Sequence, residues 1–151
     1  MATMHTRRRG KSGSHRPFVT ENPSWVPLTA EEIEEKVVEL AGLEMSTSVI
    51  GIRMRDEYAI PSVKLATSKS ITQILTDNEM EPERPEDLEN LMRKAINLSS
   101  HLQRNPKDLH NKRALHLMEA KIRRLVRYYK GTNQLPSDFK YSLATARLMV
   151  E

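Results

Sequence analysis

Several residue groupings in this 151-residue chain could do chemistry, and the catalytic ones fail on spacing. Gly10-Lys11-Ser12 has the ending of a phosphate-binding P-loop. That loop needs another glycine five positions earlier, where this chain has His5, and a strand ahead of it. The histidines are His5, His15, His101, His110 and His116. None shows the i,i+4 spacing with a Glu that a helical zinc site requires. Cysteine is absent, which removes disulfides, thiolate metal sites and a cysteine nucleophile. Glu31-Glu32 and Glu34-Glu35 read as a surface helix, whereas acid/base work by paired carboxylates needs a cleft. The expectation is no enzyme, no metal, no cofactor and no small-molecule substrate.

What remains suits a polyanion. Arg113, Leu117, Lys121, Arg124 and Tyr128 follow one another at about one helical turn, a basic stripe that ends in an aromatic ring. Arg123, Arg127 and Lys130 add cations to the same stretch. Arginine forks match phosphate geometry, and tyrosine stacks or hydrogen-bonds to sugar. Just upstream, His101, Asn105, Lys107, Asp108, His110 and Asn111 crowd donors and acceptors into one polar turn. Asp108 is placed to cap the following helix. The same carboxylate could accept from a base amino group, and a rigid loop fits the wide, shallow minor groove of RNA. A third basic group, Arg7, Arg8, Arg9 and Lys11, precedes all of this.

The charge distribution supports that partner class. Residues 1–20 hold five basic residues and no acid; residues 21–100 hold eight basic against sixteen acidic; residues 101–151 hold eleven against four. The blocks are +5, −8 and +7, which the overall +4 conceals. Two basic blocks around an acidic middle favour nucleic acid over a merely solvated surface. No stretch approaches the ~18 apolar residues of a membrane span. The basic N-terminus has no apolar run behind it, so no secretory signal is expected and the cytosol is the expected compartment.

The elements that must position these residues read as helices. Residues 1–24 form a basic extended arm without apolar periodicity, expected to be disordered alone and ordered by a partner. Trp25, between Pro23 and Pro27, is where packing is expected to begin. A small helical N-terminal domain follows over 25–80. Thr29-Ala30-Glu31-Glu32 is a capping box for a first helix carrying Ile33, Val37 and Leu40, ended by Gly42. Ser46 caps a second with Val49, Ile50 and Met54, broken at Ala59-Ile60-Pro61. Ser68 caps a third with Ile71, Ile74 and Leu75 buried. Over 81–131, Leu88, Leu91, Ala95, Leu98 and Leu102 match Leu115, Met118, Ile122, Leu125 and Tyr129 across the polar loop. Two matched stripes predict an antiparallel helical hairpin. Pro85 suits its first helical position, and Gly131 stops its second helix. Residues 132–151 read as a C-terminal tail anchored by Phe139 and Tyr141. The fold class is all-α: a three-helix N-terminal region, an antiparallel C-terminal hairpin and a basic arm. Apolar residues make up 38%, roughly 41% with the five glycines, a lean core that suits folding against something else.

The run His101-Leu102-Gln103-Arg104-Asn105-Pro106-Lys107-Asp108-Leu109-His110-Asn111-Lys112-Arg113, with Ile122-Arg123-Arg124-Leu125-Val126-Arg127-Tyr128-Tyr129-Lys130 after it, resembles the universal small-subunit ribosomal protein fifteen family. Pro23-Ser24-Trp25, Ile50-Gly51-Ile52-Arg53-Met54-Arg55-Asp56, Ile60-Pro61-Ser62-Val63 and Pro85-Glu86-Asp87-Leu88 resemble its archaeal and eukaryotic branch. The resemblance spans essentially the whole chain. It implies a cytoplasmic protein of the small subunit that binds small-subunit rRNA early in assembly. The site implied is a central-domain three-way junction and adjacent stem, near a contact with the large subunit. Neighbouring ribosomal proteins are further implied partners, and a membrane is not. On the family pattern His101 and Asp108 match residues that read the stem, and Arg113 and Tyr128 match positions facing RNA. Position 111 is Ser in many members and Asn here; position 105 is His in some and Asn here. The bacterial branch touches the junction with an Asp-Thr-Gly-Ser loop. Here Glu81-Pro82-Glu83-Arg84-Pro85 stands instead, and the N-terminal part is expected to substitute.

Two other classes stay in view. A helix-turn-helix DNA-binding regulator could be built from helices near 31–41, 47–56 and 69–78. Its recognition helix would carry one cation, Lys69, in a segment of net charge −8. A coiled-coil interaction hairpin would explain the matched stripes but not the basic arm.

Overall fold

A computed structural model describes residues 18–82 and 84–150, together with 13 and 15. Arg7, Arg8, Arg9 and Lys11 lie outside the described residues. The described chain is all-helical and falls into two compact units, one within residues 10–82 and one within 83–151.

The N-terminal unit contains four helices where the sequence predicts three: α1 (Ala30–Gly42), α2 (Thr47–Asp56), α3 (Val63–Thr67) and α4 (Ile71–Asp77). Thr29 opens α1 with both halves of the expected capping box, its Oγ1 accepting from Glu32 N and the Glu32 carboxylate accepting from Thr29 N. Ser46 caps α2 as expected. The extra helix, α3, is five residues long, too short to leave a periodic signal, and buries Val63. It also corrects the cap of the next helix. Ser68 sits at φ 60° and closes α3, a conformation no N-cap adopts. Ser70 caps α4 instead, in a reciprocal box with Gln73. Ile33, Val37, Leu40, Ile50, Met54, Ile60, Val63, Ile74 and Leu75 make the core, with α1 packed on the other three helices. Val26 and Leu28 pack against it, whereas Trp25 is 63% exposed; packing begins one residue later than the tryptophan suggests.

The C-terminal unit is the expected hairpin, α5 (Glu86–Arg104) and α6 (Leu109–Gly131), plus a helix the sequence reading leaves as tail, α7 (Leu143–Val150). Glu86, Asp87 and Glu89 line the first turn of α5, where the helix dipole favours acids; Pro85 is its cap rather than its first residue. Tyr129 Oη donates to Asp87 Oδ1 at 2.7 Å, tying the end of α6 to the start of α5 as an antiparallel pair requires. The segment after α6 folds back: α7 packs on α5, and Leu135 and Ala146 join Leu88, Met92, Ala95, Ile96, Ile122 and Val126 in one core. The buried face differs from the predicted stripe. Met92 and Ile96 are buried, while Leu98 and Leu102 at the distal end of the predicted stripe are only half-buried. From Asn97 to Lys121 no side chain is buried. The proximal hairpin thus has a three-helix core, and the distal hairpin is a two-helix projection.

Glycine does not supply the helix stops. Gly42 and Gly131 are the last helical residues, and the left-handed positions fall two residues later on Glu44 (φ 58°) and Asn133 (φ 57°).

Candidate nucleic-acid interface

The loop between α5 and α6 is shorter than its polar composition suggests, because both helices run into it; only residues 105–108 are non-helical. Its centre is Asp108, the N-cap of α6. Asp108 Oδ1 accepts from Asn111 N at 2.9 Å. Oδ2 accepts from Asn111 Nδ2 at 2.7 Å and faces His101 Nε2 at 3.0 Å. Asn105 closes the other side of the imidazole, its Nδ2 lying 3.3 Å from His101 Nδ1 and 3.1 Å from the His101 carbonyl oxygen. Asp108 N donates back to Asn105 O at 3.2 Å. Four side chains from the end of one helix, the turn and the start of the next are thereby cross-linked. The Asn111 backbone N–H, the His101 ring and the Asn111 amide hold the Asp108 carboxyl down from 3.8 to about 2. The carboxylate is therefore ionised at any physiological pH and only accepts.

Of the predicted loop residues, His101, Asp108 and Asn111 are brought together by these bonds; Lys107 and His110 are exposed beside them. One residue outside the expected set is Leu109, the first residue of α6, 74% exposed at the tip. Its signal in the sequence was its position, out of step with Leu115, Met118 and Ile122.

Along α6 each residue turns by about 100°. Ile122 and Val126 face the core. Arg113 and Arg124 then point about 180° away, with Arg127 and Tyr128 within about 60° of both and Lys121 within about 80°. Arg113 and Arg127 are exposed, Tyr128 is 47% exposed, and Lys121 and Arg124 are half-buried. Helix geometry thus puts the predicted stripe on the side of α6 away from Ile122 and Val126, with Lys121 and Arg124 partly covered. Lys112 and Arg123 sit on the flank, where Arg123 Nη2 meets Glu119 Oε2 at 3.4 Å. Tyr128 stands edge-on to Tyr129, centroids 5.2 Å apart, and Tyr129 is anchored to Asp87. The outward ring is oriented by its inward neighbour.

The DNA-binding alternative loses its one cation here. Lys69 Nζ is drawn to Glu34 at 3.1 Å and Asp77 at 3.2 Å, and α4 itself contains no basic residue.

Comparison with known proteins places this all-helical chain among the small proteins of the ribosome. Residues 71–149 match the family model described as ribosomal protein S15, and residues 1–60 match that of the ribosomal S13/S15 N-terminal domain. The small ribosomal subunit protein uS15 of Methanococcus vannielii is 53% identical over 151 residues, all of both chains. That of Methanococcoides burtonii is 54% identical over 150 residues, 99% of each chain, and that of Methanoregula boonei 53% over the same span. The chain belongs to the ribosomal protein S15 family, structural proteins of the small ribosomal subunit and not enzymes.

Proposed function

We propose that this chain binds small-subunit rRNA at a central-domain three-way junction and its adjacent stem, and stabilises that arrangement during assembly. A protein that binds one RNA conformation preferentially shifts the population toward it. The observation that carries the reading is the pairing of a cross-linked polar loop with a cationic, tyrosine-ended face on the helix it caps. While the tip is closed, its cross-linked side chains present one shape to a groove. The face supplies Arg113, Lys121, Arg124 and Arg127 to phosphates, with Tyr128 for a base or sugar.

In this division of labour residues 81–131 grip the RNA. The arm, with Arg7, Arg8, Arg9 and Lys11, neutralises further phosphate. Residues 25–80 take over the junction contact that a loop makes in the bacterial branch, and residues 132–151 brace the hairpin. His101, Lys107, Asp108, His110 and Asn111 are the groove-facing set. Neighbouring ribosomal proteins and a contact with the large subunit complete the surroundings, in the cytoplasm.

Salt-titrated binding tests this, using a small-subunit rRNA three-way junction with its stem, a plain RNA duplex and a DNA duplex of equal length. Preference for the junction that survives moderate salt is expected. Equal, salt-labile binding to all three would refute shape-specific recognition.

A further inference from the structure

We propose that Asn105 is a positioning residue that holds His101 in a single neutral tautomer, hydrogen on Nε2. The loop then offers its partner the face of an oriented ring rather than a ring N–H. Two constraints from opposite sides of the ring lead to this. On one side, Asn105 Nδ2 is 3.1 Å from the His101 carbonyl oxygen. A carbonyl only accepts, so the atom there is the amide nitrogen and not its oxygen. The same nitrogen lies 3.3 Å from His101 Nδ1, which must therefore present a lone pair. On the other side, His101 Nε2 is 3.0 Å from Asp108 Oδ2, and an ionised carboxylate only accepts, so Nε2 must carry the hydrogen. The two sides act together: Asp108 draws a hydrogen to Nε2, and Asn105 keeps Nδ1 bare. A ring carrying its hydrogen on Nδ1 would set donor against donor at Asn105, and a ring turned over about its χ2 axis would bring a carbon to each partner.

The consequence concerns what the loop has left to give. Both ring nitrogens of His101 are engaged within the protein. Asp108 already accepts three hydrogen bonds, from Asn111 N, Asn111 Nδ2 and His101 Nε2, of the about four a carboxylate can take. The His101 side chain is nevertheless 43% exposed. Its exposed part is a flat ring surface held at a fixed angle, suited to packing on a ribose or base edge. Specificity for one shape of groove then comes from fixing the ring, and Asn105 is one of its two clamps. The ring's partner rests on the RNA-binding reading above; the tautomer does not.

Long-range 1H–15N correlation spectra of the full chain, at a pH where the imidazole is neutral, test the tautomer directly. The expected wild-type result is one species, protonated at Nε2 and bare at Nδ1. Asn105→Leu keeps the side-chain length and removes the donor. Its His101 signals should move toward an average of the two tautomers while circular dichroism shows unchanged helicity. Affinity for the junction RNA should fall about twofold to tenfold, the cost of ordering one more side chain on binding, with plain-duplex binding unchanged. A wild-type ring protonated at Nδ1, or present as a mixture, overturns the proposal whatever the RNA does. An unchanged His101 spectrum in Asn105→Leu also overturns it, because Asp108 alone would then set the tautomer. If the variant loses helicity, the wild-type spectrum decides. If the wild type shows no junction preference, the RNA-binding reading falls, and the tautomer stands or falls on the spectra alone.

Discussion

Arg113 and Arg124 are eleven residues apart on α6, and so are Lys112 and Arg123. Eleven residues are close to three full turns, so each pair lies on one line along the helix. The two lines differ by about 100°: the first points away from the core, and the second lies on the flank where Arg123 meets Glu119. Arg113→Gln/Arg124→Gln and Lys112→Gln/Arg123→Gln therefore remove the same charge from the same helix, and glutamine preserves helix propensity. If the outward face meets phosphate, the first double variant forfeits two contacts. The slope of log affinity against log salt should then shrink by about 1.4–1.8, at about 0.7–0.9 per phosphate. Raising salt from about 50 mM to about 200 mM should cost that variant about tenfold less affinity than it costs the wild type. The flank variant should keep a slope within about half a unit of wild type. Fluorescence anisotropy with a labelled junction RNA at several salt concentrations reads both. Equal slopes for the two variants would refute the assignment of a face and leave only the net charge of α6.

Three further outcomes follow from the packing and the cap. Ile122→Ala, fully buried between the hairpin helices, should destabilise the C-terminal unit by about 2–5 kcal/mol in urea unfolding followed at Tyr129, with the N-terminal unit unaffected. Gly51→Ala should stabilise α2 by about 0.5–1 kcal/mol in thermal unfolding, because a methyl there meets only the flexible Cδ1 of Ile71 at 3.4 Å and removes a helix-interior glycine. The Asp108 carboxyl is lowered from 3.8 to about 2, so its contribution to the loop is full above pH 3.8 and lost as pH falls through about 2. The Asn111 amide resonance, followed by NMR down an acid titration, should move with that lower midpoint; a midpoint near 3.8 would mean the cap is not formed.

Local chemistry was the part of this fold most open to reading. The Thr29 box, the Ser46 cap and the Asp108 cap each depend on residues within three positions, and all three form. The basic stripe was legible for the same reason, since 3.6-residue periodicity places Arg113 beside Arg124 without any tertiary knowledge. Features decided by distant packing were not legible. Val63–Thr67 is helical because Val63 enters a core built by α1 and α4, and five residues carry no period of their own. Leu143–Val150 is helical against α5, and the buried residues of α5 include Met92 and Ile96 while Leu98 and Leu102 are half-buried. In the candidate site, residue types gave the members of the loop. The engagement of Asn105 with both His101 Nδ1 and the His101 carbonyl needed coordinates.

The absence of any buried side chain between Asn97 and Lys121 grades the hairpin along its length. Opening the base requires breaking the three-helix core, so amides near Met92 and Val126 should exchange with solvent only when the whole unit unfolds. Opening the tip costs only two-helix contacts and the Asp108 cluster, and it can proceed alone. If the tip meets RNA as proposed, the binding part is the part expected to open most readily. A bound partner should slow exchange at the tip first, which makes the hairpin a gauge whose protected length reports how far the complex has closed.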